Sequence, residues 1–215
     1  MQDKKSLIIF DMDGTLIDSS RTIANSINHV RANLSLEPMT HEQIVSKVND
    51  HSINPAKYFY EIDAFEPIHE KWFNEYYTKN HATELALYDG IYEMLESLKK
   101  QGAMIALATN AYRISTLESL RHFDIEHFFD SVVCADDVKY PKPYPDMLHK
   151  MLLDLDATNE QSIFVGDGPR DEDAAEAACI DYIMVDWGFT EHSTDMKVIN
   201  SVGELGDILK EKIKV

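Results

Sequence analysis

Ser6-Leu7-Ile8-Ile9-Phe10-Asp11-Met12-Asp13-Gly14-Thr15 changes character at its midpoint: strand-favouring apolar residues give way to two acids, a glycine and a hydroxyl. A strand with one wet face alternates apolar and polar residues, so a continuous apolar run predicts a strand buried on both faces, as at the centre of a parallel sheet. The pattern returns at Ala103–Ala108, Ser131–Cys134, Ser162–Val165 and Tyr182–Val185. Helical patterns separate these runs at Ile91–Lys100, Arg113–His122, Pro145–Leu153 and Asp171–Ala178. A weak strand at Lys197–Ile199 and a helix from Gly203 to about Ile213 close the series. Strand alternating with helix at this spacing predicts the α/β class, with a doubly wound parallel sheet.

The alternation breaks between the first two runs. Thr22–Leu34 places Ile23, Ile27 and Val30 on one helical face, and Trp72, Phe73, Tyr76 and Tyr77 recur at i, i+1, i+4 and i+5. Both patterns predict helices packed through apolar faces, with the aromatic stripe as bundle core. The expected organisation is an α/β core from residues 1–18 and 87–215 and a small helical cap at 19–86. Its linkers fall near Ile17-Asp18-Ser19 and Leu87-Tyr88-Asp89-Gly90. Pro55 and Pro67 are expected at helix starts or kinks, because proline lacks the N–H that a helix interior uses.

A chain of 215 residues with 44% hydrophobic content suits one modest domain, or a core with a small insertion. The formal net charge of -18 argues against binding nucleic acid or an anionic membrane, which calls for a basic surface. No apolar run approaches the roughly 20 residues of a membrane-spanning helix, and Leu7–Phe10 is too short for the core of a signal peptide. The expectation is a soluble cytoplasmic protein with no obligate protein partner. Cys134 and Cys179 lie among Val, Ile and Ala and are expected to be buried free thiols.

The strands of a parallel sheet open their carboxyl ends on one edge, where ligands bind. Four polar groups border those ends. In Asp11-Met12-Asp13-Gly14, one acid can act as nucleophile while the other handles protons, and both can face a cation; the alternative is a solvated turn. Thr109-Asn110 can hold phosphate oxygens without adding charge, or else cap the next helix. Lys139-Tyr140-Pro141-Lys142-Pro143-Tyr144-Pro145 offers an ammonium on a proline-stiffened loop, or simply two surface lysines. In Val165-Gly166-Asp167-Gly168-Pro169-Arg170-Asp171-Glu172-Asp173, the acids suit hard oxygen coordination of Mg²⁺. Favourable acids in a first helical turn account for Asp171–Asp173 equally well, but less well for Asp167.

With these residues in view, the chain resembles the haloacid dehalogenase-like hydrolase superfamily. Asp11-Met-Asp-Gly-Thr-Leu-Ile-Asp-Ser19 is similar to the first motif of its phosphoglycolate phosphatase and beta-phosphoglucomutase branch, and the insertion resembles the superfamily's first, small cap type. The resemblance implies a Rossmann-like core and Mg²⁺-dependent hydrolysis of small phosphorylated metabolites through an aspartyl-phosphate. It implies Asp11 as nucleophile, Asp13 as acid/base, Thr109 and Asn110 as phosphate binders, and Lys142 as the lysine of the third motif. Mg²⁺ would be held by Asp11, the Asp13 backbone carbonyl, Asp167 and, through bound water, Asp171. Lys139 is left as a surface or substrate-approach residue.

Asp13 favours phosphoryl transfer over dehalogenation, because a halide leaving group needs no proton. The cap would select the substrate, with Lys47, His51 and Lys57 as candidates for a second substrate anion. Related enzymes carry a glycine in a substrate loop midway through the cap, and Val45–Ser52 here has none. Two other readings compete: a beta-phosphoglucomutase-like phosphomutase, distinguished by sugar-phosphate isomerisation, and a catalytically silent regulatory or binding module, distinguished by absence of turnover. On either enzymatic reading the partner is a small phosphorylated substrate, and an acidic protein must supply local cations to receive it.

Overall fold

Leu7–Phe10 forms β1, and all four of its side chains are fully buried. The computed structural model describes residues 6–48, 50, 53–187 and 198–213. After β1 come β2 (Ile17–Asp18), α1 (Ser20–Asn33), α2 (His41–Val48), α3 (Pro55–Tyr60), α4 (Pro67–Glu84) and β3 (Ala86–Leu87). Helix and strand then alternate through α5 (Ile91–Lys100), β4 (Met104–Thr109), α6 (Arg113–His122), β5 (Ser131–Cys134), α7 (Asp146–Asp154), β6 (Ser162–Gly166), α8 (Pro169–Ala177) and β7 (Asp181–Val185). Strand β8 (Val198–Ile199) and helix α9 (Val202–Lys212) follow. Two compact units result: Met1–Ile17 with Leu87–Val215, and Asp18–Ala86.

The first unit is built on a six-stranded parallel sheet ordered β5-β4-β1-β6-β7-β8, while β2 and β3 pair separately. Because β1 is hydrogen-bonded on both sides, Phe10 lies opposite Leu107 of β4 and Val165 of β6. Both faces of β1 are covered. Leu7 and Ile9 join Ala106, Ala108, Val133 and Phe164 against Met147, Leu148 and Met151 of α7 and Ala174 and Ala175 of α8. Each large aliphatic side chain so buried contributes roughly 1.5–3 kcal/mol relative to exposure. That burial explains why the strand is apolar at every position and why its first acid falls just beyond it.

The second unit is helical. Ala24, Ile27, Val30, Ile44, Phe59 and Tyr60 form its core, with half-buried Trp72 and Phe73 packed against them. Pro55 and Pro67 each occupy the first helical position, where no N–H is needed, and the Asn54 side chain caps α3 by accepting from the Lys57 amide at 3.2 Å. Arg31 is buried, and its guanidinium donates to the carbonyls of Glu37 (2.7 Å) and Phe59 (2.5 Å), satisfying backbone acceptors that would otherwise be orphaned.

Several sequence expectations need correction. Helix α8 begins at Pro169, two residues before Asp171, and Pro145 precedes α7 as its cap. Cys134 is buried, but Cys179 is exposed. Cys179 sits just past α8 with φ 54°, a turn that sends its side chain outward between buried Ala178 and Ile180. Lys197 and His51 lie outside the described residues. Among the described residues, no helix is long and apolar enough to cross a membrane.

Candidate active site

Asp11 is the first residue beyond β1, and its amide extends the β1–β6 ladder by donating to the Val165 carbonyl at 2.8 Å. The chain then folds back on itself: Leu16 and Ile17 amides both donate to the Met12 carbonyl at 2.9 Å, and the Gly14 amide donates to Ile17 at 2.9 Å. Gly14 takes φ 79°, which a side chain would resist. Asp13, half-buried within this turn, bridges to Ile17. Thr109 ends β4, next to β1, and Asp167 follows β6 on the other side, so the sheet order alone brings both beside Asp11.

Lys142 enters from the loop between β5 and α7. Its ammonium donates to Asp11 Oδ1 at 2.5 Å and to Asp171 Oδ1 at 2.6 Å, and its side chain is only 3% exposed. Asp171, in the first turn of α8, completes a group with Asp11 and Asp167 whose carboxylate oxygens lie within 4.8 Å of one another. The Asp13 carboxylate is not one of these three.

Thr109 and Asn110 do not cap α6, whose cap is Tyr112. The Thr109 hydroxyl accepts from the Ala111 amide at 3.0 Å, which leaves its O–H to donate. The Asn110 Nδ2 donates to the Lys142 carbonyl at 2.8 Å, so this side chain braces the lysine loop, and its Oδ1 is buried without a hydrogen-bond partner.

Crowded acids dominate the electrostatics. Burial, together with Asp171 and Asp13, lifts the Asp11 pKa to about 7 even though Lys142 pulls the other way. Burial and the neighbouring charges of Asp11 and Asp171 push Asp167 well above the usual carboxylate range. For Lys142, burial disfavours the charge, but the two carboxylates outweigh it and hold the ammonium above the ordinary lysine value. Two glycines let the acids close in. A β-carbon on Gly14 would strike the Asp167 carboxylate, and one on Gly166 would lie 2.5 Å from Asp171 Oδ2. Three carboxylates against one ammonium, all oxygen donors, fit a hard divalent cation.

Among the described residues a second cluster, Cys134, Asp136 and Asp137, has a structural explanation. Asp137 accepts from Arg113 Nε (2.8 Å), Arg113 Nη2 (2.5 Å) and the Cys134 amide (2.8 Å), joining α6 to the end of β5. In the helical unit, Lys47 is paired with Asp50 at 2.7 Å and Lys57 is exposed. Lys139 is exposed too, with its ammonium over the Tyr140 ring.

Two residues bordering this edge escaped the motif reading. Trp187 donates its indole N–H to the Thr15 carbonyl at 3.0 Å, and the Tyr182 hydroxyl donates to the Gly168 carbonyl at 3.3 Å. Trp187 could have been suspected, because it lies just past the carboxyl end of an apolar parallel strand.

A sequence profile of the haloacid dehalogenase-like hydrolase family matches residues 8–185. Pyrophosphatase PpaX of Bacillus mycoides is 30% identical over 186 residues, covering 86% of this chain and 85% of that protein. PpaX of Bacillus cereus is 31% identical over 191 residues, covering 86% and 84%. The crystal structure of a predicted phosphoglycolate phosphatase from Haemophilus somnus superposes with a TM-score of 0.81 at 25% identity, over 98% of this chain and 99% of that one. With a match running from β1 to the end of β7, and so across the whole acid-lined edge, the chain belongs to the haloacid dehalogenase-like hydrolase family.

Proposed function

We propose that this phosphatase hydrolyses small phosphate monoesters or pyrophosphate with Mg²⁺, through an aspartyl-phosphate formed on Asp11. The observation that carries the reading is the buried contact of Lys142 with Asp11 and Asp171, beside Asp167, at the carboxyl edge of the sheet. No purely structural need is met by gathering three acids there, since burying like charges together costs free energy.

The proposed chemistry has two displacements. An Asp11 carboxylate oxygen attacks phosphorus, the bond to the leaving oxygen breaks, and Asp13 gives that oxygen its proton. Asp13 then takes a proton from water as the water oxygen attacks phosphorus, and the bond to Asp11 breaks to release phosphate. Lys142 orients Asp11 and offsets negative charge as it spreads over the phosphoryl oxygens. The Thr109 O–H is available to donate to one of those oxygens, and Asn110 holds the Lys142 loop in place. Asp11, Asp167, the Asp13 carbonyl and, through water, Asp171 would hold Mg²⁺, which would supply the charge neutralisation that lets a carboxylate approach a phosphate dianion.

We assign the chemistry to the α/β unit and substrate selection to the helical unit, with Lys47, His51 and Lys57 as candidates for contact with a second anion. The relatives named pyrophosphatase make pyrophosphate the first compound to try. The test is a screen of purified protein against pyrophosphate, nucleotides and small phosphate monoesters, with Mg²⁺ or with a chelator. Phosphate release that requires Mg²⁺ and disappears in Asp11→Asn is the expected result. Isomerisation of a sugar phosphate without release would favour a phosphomutase, and no turnover of any compound would overturn the enzymatic reading.

A further inference from the structure

The turn that carries Asp13 is bonded mostly to itself. The Met12 carbonyl receives two amides of the turn, the Ile17 carbonyl receives Gly14, and the Leu16 carbonyl receives the Tyr88 amide at 3.2 Å. The Thr15 carbonyl is different, because its donor is a side chain 172 residues away, the indole of Trp187. Thr15 is fully buried, and a buried carbonyl stripped of its donor carries a desolvation cost.

Trp187 is itself well anchored. It lies two residues past the end of β7, its ring rests against Tyr88 at 5.9 Å between centroids, and the preceding Asp186 amide donates to the Ile199 carbonyl at 2.9 Å. In the sheet, β6 separates β7 from β1, so the bond ties together two loops that follow non-adjacent strands. The indole N–H is the donor in this bond, and a phenyl ring in its place would fill much of the same space without donating.

We infer that Trp187 is a positioning residue for the acid–base turn: its indole N–H, held by the Thr15 carbonyl two residues beyond Asp13, keeps that carboxyl aligned with the leaving-group oxygen. The inference rests on the proposed role of Asp13. Small displacements of a reacting group can cost a large factor in rate, so the leaving-group-dependent part of the effect belongs in kcat/KM, which reports the first displacement, for substrates whose leaving oxygen needs a proton.

Trp187→Phe is the informative variant, assayed on an alkyl phosphate and on 4-nitrophenyl phosphate, whose leaving group departs without protonation. Expected is a fall of about tenfold or more in kcat/KM on the alkyl ester with little change in kcat/KM on the aryl ester, while kcat on either ester also carries hydrolysis of the aspartyl-phosphate, in which Asp13 serves as base. In an Asp13→Asn background, the same substitution should add almost nothing. Amide exchange provides an arm independent of turnover: Gly14 and Ile17 should exchange faster in Trp187→Phe than in the wild type. Equal losses of kcat/KM on both esters accompanied by a lower Tm, or unchanged exchange at Gly14 and Ile17, would overturn the positioning role. Absence of wild-type turnover on both esters would sink the proposed function instead, and exchange would still decide whether Trp187 holds the turn.

Discussion

Gly14 and Asp167 approach so closely that a β-carbon on the glycine would collide with the carboxylate. The glycine also sits at φ 79°, in the left-handed region. Gly14→Ala should therefore lose at least about 1–2 kcal/mol of stability from backbone strain alone. It should also push Asp167 out of place and weaken the stabilisation by Mg²⁺. Chemical denaturation with and without the metal checks both effects. Wild-type stability with a wild-type metal response would show that this contact does not shape the site.

Lys142 is the buried cation among three acids, so removing it should cost more than one hydrogen bond. Lys142→Met should lower kcat by roughly 10²–10³, the range for losing one charge-stabilising donor. Without metal, stability should fall by about 3–5 kcal/mol, because acids are left buried without their partner. Added Mg²⁺ should restore part of the stability but not the rate. Steady-state kinetics beside thermal melts separate the two losses.

The raised pKa values predict how metal and pH interact. Asp11 is lifted from 3.8 to about 7, so between those values the folded protein holds a proton that the unfolded chain releases. For that group, the metal-free protein loses stability as pH rises through the window, and Asp167, raised in the same direction, adds to the trend. A cation replaces the missing proton. The increase in Tm caused by Mg²⁺ should therefore be larger at pH 8 than at pH 5, and an equal or larger increase at pH 5 would contradict this account of the crowding.

The main lines of this architecture are readable from sequence because burial on both faces writes itself as a continuous apolar run. Leu7–Phe10 and Ile163–Val165 show that pattern with every side chain buried. Two-residue strands such as Ile17–Asp18 and Ala86–Leu87 carry no period and could not be anticipated. Helices α2 and α3 are also short, although Pro55 marks the start of one. At the site, the rule that parallel strands share a carboxyl edge anticipates the meeting of Asp11 and Asp167, whereas the choice of Lys142 over Lys139, and of Asp171 within its helix start, comes from the family resemblance. The rule says nothing of Asn110 bracing the Lys142 carbonyl, or of Trp187 reaching Thr15, because those bonds depend on loop paths. Cys179 misled because its apolar neighbours are buried while its own backbone turns outward.

The pairing of Arg113 with Asp137 gives a prediction away from the chemistry. Hydrogen bonds from Arg113, which outweigh partial burial, hold the Asp137 pKa below the usual carboxylate value. A depressed carboxylate stabilises the fold above its unfolded pKa, and that contribution is lost as pH falls through the folded value. Asp137→Asn should cost roughly 1–3 kcal/mol at neutral pH, with activity per folded molecule retained. Once the pH has fallen below the lowered pKa of folded Asp137, the two proteins should converge in stability. Denaturant titrations at several pH values check this, and a gap that stays constant into acid would count against the ion pair as its cause.

Asp11 as the atom that takes the phosphoryl group is the central claim, and trapping the intermediate tests it most directly. Wild-type protein mixed with substrate and Mg²⁺, quenched in acid within milliseconds and reduced with borohydride, should carry its modification at Asp11, where an acyl phosphate is reduced to an alcohol. Peptide mass spectrometry should place the change on that residue, with none in Asp11→Asn. Rapid phosphate release with Asp11 unmodified throughout turnover, or modification at Asp13 or Asp167 instead, would contradict the account.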